Sequence, residues 1–172
     1  MDADWVGSWQ QRLSDDPLSA HLRTGFLITY AGCPILWRSK MQSLIALSTT
    51  EAEYIALSSA LREVISILHL MDELHNWKLL PTLPTPTVQC KVFEDNKSCI
   101  EIATNHQTRA RTKHLSVRLH HFWGFVTRKE ISIQHVSTKD QLADIFTKPL
   151  PRSQFILLRD RIMEPRLYRE GV

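Results

Sequence analysis

Apolar side chains recur along the chain with two different periods, and these periods separate predicted helices from predicted strands. Between Ser48 and Trp77, apolar residues lie three and four positions apart with no Gly or Pro between them, which predicts a long amphipathic helix. Residues 88–95 alternate apolar and polar side chains, as a half-buried strand does. Two runs rich in aromatic and branched residues, 23–31 and 34–47, flank Gly32 and predict a β-hairpin.

The remaining elements alternate between helix and strand. A last helix is predicted to begin near Ser137 or Thr138, to be interrupted by Pro149 and Pro151, and then to resume. Before it, the apolar spacing predicts a short helix, a helix with basic outer faces and a short strand, over 96–104, 113–129 and 131–136. A hairpin followed by alternating strands and helices predicts an α/β fold, a mixed sheet flanked by helices.

Length and composition favour one folded unit. A chain of 172 residues with 43% hydrophobic content is large enough to bury a core, so we expect a single domain over 1–172. The three cysteines, Cys33, Cys90 and Cys99, form no CxxC pair, which argues against a disulfide framework or a zinc site. Neither a signal-peptide pattern nor a long apolar run is present. We therefore expect an intracellular protein, in cytoplasm or nucleus, without a membrane partner.

Two neighbouring glutamates at the start of the long helix have different predicted roles. Ser48 and Glu51 form an S-x-x-E capping box, which gives Glu51 a structural role at the helix start. Glu53 instead lies on the helix face that carries Ala56 and Leu57, so its carboxylate points toward the sheet. An unpaired buried charge is costly, so Glu53 is a candidate ligand of a cation. The alternative is a partly exposed carboxylate at the edge of the apolar stripe.

Four further acids are candidates on weaker local grounds. Asp95 stands between a strand and a helix, where α/β folds bind ligands, although Asp in that position is often only a helix N-cap. Asp144 lies one turn inside the last predicted helix and could support the helix dipole or face a site. Asp2 and Asp4 form a D-x-D pattern that is common in loops and at chain termini.

Taken together, five ordered blocks resemble the ribonuclease H domain of copia-type retrotransposon polyproteins. The blocks are DADW at 2–5, ALSTTEAEYIALS at 46–58, EDNKS at 94–98, RTKH at 111–114 and QLADIFTKPL at 141–150. The resemblance implies a ribonuclease H-like fold that cleaves the RNA strand of an RNA/DNA hybrid with two Mg²⁺ or Mn²⁺ ions. By motif position it implies that the metal ligands are Asp2, Glu53, Asp95 and Asp144. The positions of the two glutamates on the helix also select Glu53, and not Glu51, as the metal ligand.

The resemblance also suggests accessory residues. His135 ends a predicted strand where related nucleases carry a histidine that assists proton transfer or product release; the alternative is a surface imidazole. Residues 102–129 contain six Lys or Arg and no Asp or Glu, which favours a polyanionic partner over an evenly charged surface. Candidate contacts to the hybrid are Arg109, Arg111, Lys113, His114 and Arg118. A solvated basic helix face is the alternative.

The chain also departs from the family pattern. Relatives have several strand residues before the first aspartate, whereas Met1 alone precedes Asp2, so we expect a truncated first strand. Ser116 replaces an Asp or Asn, and the tail 164–172 matches no motif and is expected to be disordered. Two function classes follow. One is a hybrid-cleaving nuclease, and the other is a weak or inactive relative that binds nucleic acid or protein. The reverse transcriptase domain of the parent polyprotein is a further expected partner.

Overall fold

A computed structural model describes residues 2–4, 22–80, 89–105 and 120–164 and confirms the α/β fold class. Two 3₁₀ turns, Thr138–Asp140 and Leu142–Phe146, precede the last helix. In chain order the strands and α-helices are β1 (Asp2–Asp4), β2 (Arg23–Tyr30), β3 (Cys33–Met41), α1 (Thr49–Asn76), β4 (Cys90–Glu94), α2 (Lys97–Asn105), α3 (Trp123–Thr127), β5 (Ile131–His135) and α4 (Arg152–Met163).

The strands form two hydrogen-bonded sheets, one antiparallel and one parallel. The first has the order β1-β2-β3, and the second pairs β4 with β5. The predicted hairpin is confirmed: Ala31 and Gly32 connect β2 and β3 with φ of 49° and 81°, and Tyr30 pairs with Cys33 across the turn. Positive φ at both central residues is the geometry of a tight turn whose twist matches the strands it joins.

A cavity of about 680 Å³ lies between the two sheets, where one continuous mixed sheet would need a joining strand. Its walls are Phe26–Thr29 of β2 and Cys90–Phe93 of β4, and α1 contributes Ala60, Leu61 and Val64. Within the described residues, β4 pairs only with β5, and β1 pairs with β2 only over 23–25. Among the described strands, three-residue β1 pairs with β2 alone and leaves the two sheets unjoined.

Helix α1 is the central core element and begins as the sequence predicts. Ser48 Oγ accepts a hydrogen bond from the Glu51 backbone N–H at 3.2 Å, and the Glu51 carboxylate accepts one from Leu47 N–H at 2.8 Å. By length and composition α1 is apolar enough to cross a membrane, but its first half packs inside the fold. The capping box is therefore confirmed, and the core accounts for the apolar face.

Two predicted helices differ from the observed structure. The helix expected from Ser137 is wrong as an α-helix: Gln141, with φ −70° and ψ 101°, is extended and divides the segment into two 3₁₀ turns. The helix expected over 113–129 is much shorter in its described part, where only Trp123–Thr127 is α-helical. Lys129 has φ of 62°, a left-handed conformation that ends the helix before β5. Residues 113–119 lie outside the described residues.

Candidate metal centre

Glu53 is held in the interior by the first turn of α1. Gln42, which follows β3, donates from its side-chain amide to Thr24 Oγ1 on β2 and to the Ala52 carbonyl, both at 3.0 Å. These bonds fix the start of α1 against β2. The Glu53 side chain is only 7% exposed, and its Oε2 has no hydrogen-bond partner among the described residues. An unpartnered buried carboxylate oxygen is costly and is typical of a ligand-binding position.

Asp2 reaches the same region from β1. It pairs with Gly25 in the antiparallel ladder, and its side chain is 1% exposed. Thr147 donates a short hydrogen bond from Oγ1 to Asp2 Oδ2. The aspartate is thus fixed both by the sheet register and by a side chain from the other end of the chain.

Asp95 follows β4 directly, and a second acid lies beside it. Asn96 Oδ1 accepts from the Cys99 backbone N–H at 3.1 Å, so Asn96 caps α2 and the N-cap alternative for Asp95 is wrong. Glu94 is fully buried; its Oε1 accepts from Asn96 N–H at 3.0 Å, and its Oε2 has no partner among the described residues. Asp95 is left half-buried with its carboxylate available to the site.

These acids converge. Single carboxylate oxygens of Asp2, Glu53 and Asp95 all lie within 4.8 Å of one another. They come from β1, from the first turn of α1 and from the end of β4, which are distant in sequence. Such a cluster of hard oxygen donors is the ligand type that Mg²⁺ and Mn²⁺ prefer.

Asp144 lies on the other side of Asp2, in residues 142–148, which we call the acid segment. The segment packs against β2 because Gly25 has no side chain: a Cβ there would lie 2.5 Å from Thr147 Cγ2 and 3.0 Å from Phe146 Cβ. Ser39 Oγ on β3 donates to the Phe146 carbonyl at 2.5 Å and holds the segment in place. Asp144 is 5% exposed.

Lys148 joins the two aspartates. Its Nζ donates to Asp144 Oδ1 at 2.9 Å and to Asp2 Oδ1 at 3.1 Å. Burial opposes the charge on Lys148, but Asp2 and Asp144 outweigh it and hold the pKa of the ammonium above its ordinary value. Asp144 therefore contacts an ammonium group and is not one of the three acids that converge.

Burial and mutual repulsion make the acids reluctant to ionise together. Burial, with repulsion from Glu94, Asp2 and Asp95, raises the pKa of Glu53 to about 10. Burial also raises the pKa of Glu94 to about 8 and, together with Asp2, that of Asp144 to about 6. A bound cation would offset both the desolvation and the repulsion, so the site is electrostatically suited to positive charge.

The other predicted site residues lie outside this cluster or outside the described residues. His135 pairs with Glu94 at the end of the β4–β5 ladder, and its side chain is exposed, so its role stays a prediction. The candidate nucleic-acid contacts lie outside the described residues; they are Arg109, Arg111, Lys113, His114 and Arg118.

Comparison with curated proteins finds relatives over most of the chain. The retrovirus-related Pol polyprotein from transposon TNT 1-94 of Nicotiana tabacum is 34% identical over 163 residues, 94% of this chain and 11% of the relative. That from transposon RE1 of Arabidopsis thaliana is 34% identical over 154 residues, 90% of this chain and 9% of the relative. The chain is homologous to a segment of retrotransposon Pol polyproteins.

A yeast relative extends the similarity. The transposon Ty1-DR5 Gag-Pol polyprotein of Saccharomyces cerevisiae is 30% identical over 125 residues, 72% of this chain. The chain spans 7% of the yeast polyprotein and 11% of the tobacco one. No family model and no solved structure matches the chain. The sequence-based resemblance to copia-type polyproteins is thus confirmed at the level of the parent polyprotein.

Sequence reasoning missed three residues of this region: Glu94, Gly25 and Lys148. A signal for Glu94 was present, because the alternation that places Val92 inward continues two residues further to Glu94. The i,i+4 spacing of Asp144 and Lys148 was a local signal for their ion pair, but no local pattern identifies Gly25 or places Lys148 beside Asp2. Each acts through a residue more than a hundred positions away in the chain.

Proposed function

We propose that the chain is a metal-dependent endonuclease domain that cleaves the RNA strand of RNA/DNA hybrids. The observation that carries the proposal is the convergence of Asp2, Glu53 and Asp95, with a buried and unpartnered oxygen on Glu53. Homology to retrotransposon Pol polyproteins supports it. The three acids also lie in those blocks of this chain that resemble the ribonuclease H domain of such polyproteins.

The donor set fits a hard divalent cation. Oxygens on opposite sides of one Mg²⁺ are about 4.2 Å apart, because each Mg–O bond is about 2.1 Å. At most one pair among three such oxygens can lie opposite, and neighbouring ligand oxygens on one ion are about 3.0 Å apart. The three acids, whose oxygens lie within 4.8 Å of one another, would therefore draw closer together to share one ion. Asp2, Glu53 and Asp95 would hold that ion, and Asp144, beside Asp2, would contribute to a second. The absence of thiol or imidazole groups from this set favours Mg²⁺ or Mn²⁺ over zinc.

In this proposal the acidic residues of the chain hold the metal ions in position and do not act as nucleophiles. When bound, a pair of divalent cations supplies an activated water and stabilises the departing 3′ oxygen. Glu53 and Asp2 are rigidly placed by the hydrogen bonds of Gln42 and Thr147, so their oxygens are preorganised. His135, exposed at the end of β5, is proposed to accept or deliver a proton at its imidazole.

The proposed substrate is recognised through its backbone. Phosphate charge, groove width and 2′-hydroxyl groups distinguish a hybrid, and none of these depends on base sequence. The basic stretch supplies contacts to phosphates; its candidates are Arg109, Arg111, Lys113, His114 and Arg118. In the parent polyprotein, the reverse transcriptase domain is the proposed partner that delivers the hybrid, in the cytoplasm or nucleus.

Cleavage of a labelled RNA/DNA hybrid tests this function. The chain is expected to cut the RNA strand with Mg²⁺ or Mn²⁺, and both EDTA and Asp95→Asn should abolish cutting, whereas Asp72→Asn, an exposed acid on α1, should not. Circular dichroism of each variant controls for folding. Metal-independent cutting, or full activity of Asp95→Asn, would contradict the proposal. Hybrid binding without any cutting would favour the inactive binding module.

A further inference from the structure

Lys148 has a position in the site that a purely structural lysine would not need. Its side chain is 30% exposed, but its ammonium contacts two carboxylates that are almost fully buried, those of Asp2 and Asp144. A surface lysine ordinarily keeps its charged end in water, because an ammonium is strongly hydrated. Here the charged end points inward, toward the acids.

The location of the ammonium coincides with the region between the two aspartates. Asp2 is shared: one oxygen contacts Lys148, and one of its oxygens belongs to the cluster with Glu53 and Asp95. Asp144 contacts Lys148 and is not in that cluster. A divalent cation bridging Asp2 and Asp144 would compete with Lys148 for these two carboxylates and would be repelled by the positive charge beside it.

We propose that Lys148 is a charge gate: its ammonium neutralises the Asp2–Asp144 pair and must withdraw before a second divalent cation binds there. The inference rests on the proposed metal site and concerns its occupancy. The first cation, on Asp2, Glu53 and Asp95, binds with Lys148 in place. The second binds more weakly, because it displaces an ion pair. The flexible four-carbon stem and the partial exposure of Lys148 allow that withdrawal.

Metal titration of the full chain tests the gate without reference to cleavage. Isothermal calorimetry and Mn²⁺ electron paramagnetic resonance give the number of bound ions and their affinities. Wild type should bind one Mn²⁺ ion tightly and a second weakly. Lys148→Met should bind the second about tenfold or more tightly than wild type does. Lys148→Arg, which keeps the charge, should behave as wild type.

Matched variants separate the gate from general charge effects. Lys139→Met removes an exposed positive charge from the neighbouring 3₁₀ turn and should leave both affinities unchanged. Asp144→Asn should lower the affinity for the second ion and leave the affinity for the first unchanged. If Lys148→Met is poorly folded without metal, Lys148→Gln replaces it, and thermal melting with and without Mn²⁺ gives a second measurement. Melting temperature should rise more with Mn²⁺ in either variant than in wild type.

The outcomes distinguish the gate from the metal site itself. Equal affinity of the two ions in wild type, or no change of the second affinity in both Lys148→Met and Lys148→Gln, would overturn the gate and leave the proposed nuclease standing. A gain in Lys139→Met as large as in Lys148→Met would also overturn the gate, because any lost positive charge would then suffice. If no variant and no wild-type sample binds Mn²⁺, the proposed function fails and the gate fails with it.

Discussion

A strand-forming segment added before Met1 should fill the cavity between the two sheets and stabilise the domain. Asp2 pairs with Gly25 in an antiparallel register, so an upstream continuation would run alongside Phe26 to Thr29, the residues that line the cavity. The carboxyl end of the added strand would lie at the acid cluster. The carboxyl end of β4 also lies there, next to Asp95, so the two strands would run parallel. Both flanking strand edges would then have a partner.

The expected gain is modest but measurable. Ordering four residues costs about 4 to 8 kcal/mol of backbone entropy. About six new hydrogen bonds to β2 and β4 contribute on the order of 6 kcal/mol. Two apolar side chains that face Leu61 and Val64 contribute about 3 to 6 kcal/mol. The gains exceed the entropy cost by about 1 to 8 kcal/mol. For a domain of this size each kcal/mol raises the melting temperature by about 2 to 4 °C.

Thermal denaturation of paired extensions measures the effect. One extension alternates Val and Thr, and its control has the same length in Gly and Ser. The Val-Thr version should melt about 2 to 30 °C higher, protect the amides of β2 and β4 from hydrogen exchange, and cleave hybrid faster. Equal melting temperatures for the two extensions, or no added protection of Cys90–Phe93, would refute the assignment of the cavity as a strand site.

Further predictions concern charge, packing and the hybrid. In the metal-free protein, the contribution of Glu53 to the free energy of unfolding should be largest below about pH 4.5 and should fall as pH rises toward about 10, because folded Glu53 retains a proton that the unfolded chain releases. Urea denaturation at a series of pH values measures this. The free energy of unfolding of Glu53→Gln should fall less steeply with pH than that of wild type, by up to about 1.4 kcal/mol per pH unit, and an equal dependence on pH would contradict the prediction. Gly25→Ala should cost about 1 to 3 kcal/mol by crowding the acid segment, whereas Gly124→Ala meets only the flexible end of an arginine and should not destabilise. Replacing Arg111 and Lys113 together by Ala should weaken hybrid binding and reduce its salt dependence, and a salt series in fluorescence anisotropy would detect this.

Local chemistry made the first turn of α1 predictable. The capping box identified Glu51 as structural, and the helical spacing placed Glu53 on the buried face; both statements depend only on residues within one turn. The hairpin was predictable for the same reason, since Gly32 lies between two β-rich runs. These features need no knowledge of the rest of the chain.

Contacts between distant segments were not predictable from local patterns. The close approach at Gly25 depends on where the acid segment lies, and the spacing of apolar residues does not encode that position. The segment before the last helix shows that a local pattern can also predict an element that the fold does not form. Helical spacing was present after Ser137, but extended Gln141 divides the segment, and the Gln141 side chain accepts from Ala143 N–H at 3.5 Å, a bond specific to the observed turn.

The candidate site is built from separate parts of the chain, so it forms only when the chain is folded. Asp2, Glu53 and Asp95 come together only when β1, α1 and β4 are all in place, and their repulsion opposes that assembly. Lys148 relieves part of the repulsion, between Asp2 and Asp144, but Glu53 retains an oxygen without a protein partner among the described residues. A cation bound to the folded cluster stabilises the folded chain by mass action, because the unfolded chain offers no such site. The stabilisation that an added cation gives should therefore fall together with metal affinity in every variant of these acids, as melting with and without metal would show.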